Sequence, residues 1–219
     1  MIMCQFLASI EWLELLQTGA AIFTAYIALR ALNTWKHQSK VQKQTHFLDE
    51  LTDTVHEYIQ ALSSPTEFLK IIRIGIESHK GLPTSADGYP HAHVIAYIEA
   101  RGKEDSKLLW EYLNSSNHIV AKINSLVARG QVYGFKNYDY CSDSIKMLLW
   151  QHQRLQVVAS VIGSTSMNWE NSQVKKSLEN MLSVEPADIE KHLEEHNLNY
   201  INFVNDNYRA IYLSGREHR

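Results

Sequence analysis

Two histidines one helical turn apart, His192 and His196, enclose Leu193, Glu194 and Glu195. On a helix, positions four apart share a face, so both imidazoles can hold a zinc ion while a glutamate serves as general base. Only Asp206 and Glu217 follow as acidic third ligands. A second pair, Arg73 and His79, puts a guanidinium and an imidazole within two turns, which suits anion binding and proton transfer. His91 and His93 form a third pair in a loop with glycine and proline, with no cysteine or acidic cluster to complete a metal set. His152 falls on an apolar face, where a histidine is more often a hydrogen-bonded core group than a ligand or base. Gly163-Ser164 lacks the flanking strand and second glycine of a nucleophile elbow.

The spacing His192-Leu-Glu-Glu-His196 resembles the His-x-x-Glu-His of inverted zincins. Arg73 to His79 resembles the arginine-to-histidine spacing of helical ribonucleases of the HEPN type, but Ile74 stands where family examples usually carry a polar residue. Either pattern is loose. No phosphate-cradling glycine loop occurs. The expectation is therefore no catalytic, cofactor-binding or metal-binding residue; a membrane-tethered helical hydrolase is the alternative.

Residues 15–29 carry no charge, and the mainly apolar stretch reaches the length of a span from Leu13 to Leu32 if Arg30 extends its guanidinium to the interface. Trp12 and Trp35 flank it, as indoles do at headgroup level. Arg30, Lys36, Lys40 and Lys43 lie on its carboxyl side, against Glu11 and Glu14 before it, so the positive-inside rule puts the carboxyl side in the cytoplasm. A cleaved secretory signal would need a basic leader and a small-residue cleavage site. The stronger competitor is a buried helix of a soluble scaffold, because Gln17, Thr18, Thr24 and Asn33 dilute the segment. Gly19 with Ala20 and Ala21, then Ala25, Ala28 and Ala31, place small side chains at three- and four-residue spacing and offer a face for close helix approach in lipid.

Hydrophobic residues make up 45% and charged residues 21%, a globular balance, and four prolines and nine glycines are too few for a hairpin-rich sheet protein. A net charge of -3 gives no support to nucleic-acid binding. Cys4 and Cys141 form no Cys-x-x-Cys motif. With no proline or glycine between Ala20 and Ser64, the span should run on as a helix to Leu62. Leu48, Leu51, Val55, Ile59 and Leu62 form its apolar stripe, read as the start of the domain core. Ser64-Pro65-Thr66-Glu67 reads as a capping box restarting a helix to about Ser78. A loop from Lys80 to His93 and a helix over 91–100 should follow. Leu109, Leu113, Val120, Ile123 and Val127 form a stripe stopped by Arg129-Gly130. A tyrosine-rich loop, 131–141, leads to a helix capped by Ser142, and Pro186 opens the last helix, lined by Ile189, Leu193, Tyr200, Val204 and Ile211.

These elements give an all-α chain: leader 1–11, transmembrane helix 12–33, helical stalk 34–47, and a cytoplasmic bundle of five or six helices over 48–219. Ala25-Tyr-Ile-Ala-Leu29, Trp35-Lys-His-Gln38 and Phe47-Leu-Asp-Glu-Leu51 resemble small uncharacterised bacterial inner-membrane proteins with one amino-terminal span and a cytoplasmic helical domain. That resemblance implies an inner-membrane location and, for some such proteins, a place in phage-defence or accessory modules. The expected partners are the lipid bilayer and either a protein partner or a second copy of the chain.

Overall fold

The computed structural model describes residues 2–82 and 88–214, and among them all regular structure is helical. The chain divides into two units, residues 1–46 and 47–219. Helix α1, Ile2–Ser78, contributes to both. In the first unit every side chain from Glu14 to Lys36 is exposed. In the second, Leu48, Leu51, Val55 and Leu62 are buried, so this stripe does start a core.

Pro65 lies inside α1 rather than at the start of a new helix. Proline has no N–H for the carbonyl four residues back, here Ala61, and that loss ordinarily interrupts a helix. Packing overrides it: Pro65 is buried between Leu62 and Leu69, and Thr66 Oγ1 donates to the Leu62 carbonyl at 2.8 Å. The capping box therefore does not form, and Glu67 pairs with Lys70 at 2.8 Å instead. The end of α1 at Ser78 is as the sequence predicts.

Helix α2, Ala92–Tyr97, passes through a π turn, Ile98–Gly102, into α3, Lys103–Ser115, so the helix expected over 91–100 runs on. The π turn seats Gly102 against the end of α5, Tyr138–Ile162: a Cβ there would lie 2.1 Å from the Ile162 carbonyl oxygen. One turn on, Ser106 Oγ donates to the Ala159 carbonyl at 2.7 Å. Small side chains bring the two backbones together.

The stripe from Leu109 to Val127 is split at Ser116 between α3 and α4, Asn117–Gly130. The Leu113 carbonyl at the break accepts from the Ser116 amide at 3.2 Å, from Ser116 Oγ at 2.8 Å and from His152 Nε2 at 3.2 Å. Gly130 ends α4 as expected. The following loop is shorter than predicted, because α5 begins at Tyr138 behind a left-handed Asn137. Ser142 is thus a buried residue inside α5, not a cap. Phe135 and Tyr138 are buried against Phe203, with ring centroids 6.0 Å apart in each pair. These aromatics pin the loop to the core.

Helix α6, Ser172–Leu182, went unpredicted; Asn171 caps it by accepting from the Gln173 amide at 2.8 Å. Pro186 opens α7, Pro186–Ser214, whose predicted stripe is buried throughout. Counting α2 and α3 as one run, six helical segments build the second unit, with α5 packed on α3, α6 and α7.

Candidate functional site

Arg73 sits on α1 with its side chain mostly covered, and Nη2 donates to the carbonyls of Met181, Leu182 and Val184 at 3.3, 2.7 and 2.6 Å. These are carbonyls at and just beyond the end of α6, which no intrahelical N–H can satisfy. The Glu185 carboxylate lies 3.4 Å away. Burial pulls the Arg73 pKa below the ordinary arginine range, while Glu185 and Glu77 act against that shift. The guanidinium is therefore a cap for a helix end. His79 Nδ1 donates to the Gly75 carbonyl at 2.7 Å, and its ring meets Tyr97 edge-on. Each member of this pair is held by structural contacts of its own.

His192 and His196 do share a face of α7, their rings stacked with centroids 6.1 Å apart. His192 Nδ1 donates to the Asp188 carbonyl at 2.7 Å, and the Asp188 carboxylate is bound by Arg154 at 2.8 Å. Glu217 lies outside the described residues. Among the described residues no group of three or more histidine, cysteine, aspartate or glutamate side chains is arranged to hold a metal ion. His91 and His93 flank the start of α2, half-buried. Burial pushes the Cys141 thiol up to about 12, which leaves no thiolate near neutral pH.

His152 is a core histidine, as its apolar face predicts. Burial lowers its pKa, more strongly than the hydrogen bond to Leu113 raises it. The folded chain thus resists a proton that the unfolded chain accepts below about pH 6.5. Stability contributed by neutral His152 is present above that value and is lost as pH falls toward the depressed folded pKa. Thermal melts of the full chain in detergent between pH 7.5 and 5 should show this loss, and His152→Gln should flatten it. An unchanged pH slope would refute the assignment.

Apolar surface is left uncovered in both units. In the first unit, one stretch of α1 is long and apolar enough to cross a membrane, and none of it is buried. Leu15 is 67% exposed, Ile22 66% and Phe23 64%. The hydroxyls of Thr18 and Thr24, two of the polar residues diluting the stretch, donate to the carbonyls of Glu14 and Ala20 at 2.8 Å and so are satisfied within the helix. No family model, curated protein or solved structure matches the chain.

In the second unit, Ile71 and Ile74 of α1 are exposed, as are Leu108 and Tyr112 of α3. The rings of Phe68 and Tyr112, 5.7 Å apart, join the two helices there. Sequence reasoning missed this patch. Its signal was present, since Ile71 and Ile74 fall off the face that carries Leu69, Ile72 and Ile76.

Proposed function

We propose that residues 12–33 cross a bilayer once, that the helical domain faces the cytoplasm, and that this domain binds a protein, either a partner or a second copy of the chain. The observation that carries the reading is that every described side chain from Glu14 to Asn33 is exposed. A core helix of the same composition would be covered by its own protein. Water cannot tolerate such a surface; lipid can, because each backbone group is bonded within the helix. The flanking tryptophans and the lysines at 36, 40 and 43 support the ends and the orientation.

Carbonate extraction of membranes from expressing cells tests insertion, and a carboxyl-terminal reporter tests sidedness. The wild-type chain should stay in the carbonate-resistant pellet. Ile22→Arg with Ile27→Arg should move it to the supernatant, because each central arginine costs insertion about 2.5–3.5 kcal/mol. A freely soluble wild-type product would sink the claim.

The exposed Ile71 and Ile74 of α1, with Leu108 and Tyr112 of α3, support the protein-binding part, since exposed apolar surface of this kind marks interaction sites. Light scattering of the detergent-solubilised chain separates the two occupants. A dimer that Ile71→Lys with Ile74→Lys dissociates would identify a second copy.

A further inference from the structure

We propose that the exposed face of α5 is a twofold-symmetric contact for a second copy of the chain, with the two α5 helices packed antiparallel. The inference rests on the protein-binding part of the reading above and chooses its partner; it does not depend on residues 12–33 crossing a bilayer.

Helix α5 carries two faces. Cys141, Ile145, Leu148, His152 and Leu155 alternate at four- and three-residue spacing and are buried. Beside them Tyr140, Asp143, Met147, Trp150, Arg154 and Val157 alternate at three and four. The apolar members of this second stripe are open to solvent, Tyr140 by 52%, Met147 by 38%, Trp150 by 50% and Val157 by 41%. Positions so spaced line one side of a helix. Tyr140 precedes Val157 by 17 residues, about 26 Å of helix. Tyrosine, tryptophan, methionine and arginine are the side chains enriched at protein contacts, where a few large aromatics carry most of the binding.

The order of the stripe selects the occupant. Reversed end to end, it keeps its spacing. A second α5 laid antiparallel, about a twofold axis level with the peptide between Leu148 and Leu149, sets Tyr140 of one copy opposite Val157 of the other, Met147 opposite Trp150, and Asp143 opposite Arg154. The symmetry makes each pairing twice. Apolar side chains then meet apolar ones, a thioether meets an indole, and a carboxylate meets a guanidinium. A parallel pair would instead set Asp143 against Asp143 and Arg154 against Arg154, so charge complementarity chooses the antiparallel arrangement. The charged groups are placed for it. Arg154 is held on the stripe by Nη1 donating to Gln151 Oε1 at 2.9 Å and Nη2 to Asp188 at 2.8 Å, which engages only part of its set of five N–H groups. Asp143 is open to solvent, paired with Lys146 of the same turn at 2.9 Å. A foreign partner would have to bring this order; a second copy already has it.

The test uses the full chain in detergent, with mass followed by light scattering against concentration. Wild type should dimerise. Met147→Glu with Trp150→Glu places carboxylate opposite carboxylate, and should raise the dissociation constant by about thirtyfold or more. Its melting midpoint should stay near that of wild type, because both side chains are open. Orientation is read from nitroxides at Asp139→Cys and, separately, Ser160→Cys in a Cys4→Ser background, Cys141 being buried. Antiparallel pairing sets Asp139 opposite Val158 and Ser160 opposite Asn137, so like labels lie about 29 Å and about 35 Å apart along the axis. Separations close to the interaxial distance of about 8–10 Å at both positions mark a parallel pair and overturn the proposal. A dimer that the glutamate variant leaves intact also overturns it. If Ile71→Lys with Ile74→Lys dissociates that dimer, the second copy sits on α1 and α3, and protein binding stands without the α5 contact. A chain monomeric at every concentration overturns the self-contact and leaves protein binding to a different partner.

Discussion

Gly102→Ala should cost the helical domain about 3 kcal/mol, the upper part of the range for overpacking. A Cβ at that position would lie 2.1 Å from the Ile162 carbonyl oxygen and 3.2 Å from its carbon. The obstacle is backbone, so no rotamer change relieves it, and α3 must move off α5. Ser106, whose hydroxyl reaches the Ala159 carbonyl, and Gly163, whose own Cβ would meet Ser106 Oγ at 2.5 Å, lie in the same contact and would be pulled with it. Circular dichroism melts in detergent should show a midpoint lowered by roughly 6–12 °C for a domain of this size. Gly19→Ala, with nothing within 4 Å of the added methyl group, should leave the midpoint within error. Equal melts for both variants would show that the close approach of α3 to α5 is not a constraint.

Arg73→Ala should cost a similar amount, about 3 kcal/mol, because it strands carbonyls that a charged donor now satisfies. Arg73→Lys should recover less than half of it, since the shorter lysine side chain does not carry its ammonium to the position Nη2 occupies among the three carbonyls. The loss should be local as well as global. Amide exchange in residues 174–182 should rise before that of α5, because the end of α6 is held by Nη2 contacts to Met181, Leu182 and Val184. A variant in which α6 exchanges no faster than wild type would remove the capping role and return Arg73 to the list of groups free to do chemistry.

Much of the architecture was legible in residue order. The uninterrupted run from Ala20 to Ser64, the stripe Leu48 to Leu62, the stop at Gly130 and the start at Pro186 each rest on local rules that the packed chain also obeys. What the sequence hid were places where tertiary contacts override a local signal. Ser64-Pro65-Thr66-Glu67 has every mark of a helix start, yet burial of Pro65 between Leu62 and Leu69 carries α1 through it. Ser142 looks like a cap because nothing local reveals that Tyr138 is already held by the Val127 carbonyl at 2.7 Å. Helix α6 is short and polar, and depends on Asn171 at one end and on Arg73, distant in sequence, at the other. Of the pairs that suggested chemistry, the spacing of His192 and His196 was read correctly. Which groups bind Arg73 could not be read, because all four of its partners, Met181, Leu182, Val184 and Glu185, sit more than 100 residues away.

Within the second unit α7 runs antiparallel to α1, Lys70 pairing with Glu190 and Asp49 with Tyr208, and that pairing imposes an order on biosynthesis. Tyr200 is made 148 residues after Thr52, its hydrogen-bond partner. At ordinary elongation rates that is roughly 7–30 s during which Leu48, Leu51, Val55 and Leu62 have left the ribosome with their last cover not yet made. A nascent chain in that state presents an apolar helix face to any holdase within reach. A translational pause before Pro186 would lengthen the exposure, and a truncation there should yield a product kept from aggregation only by chaperones.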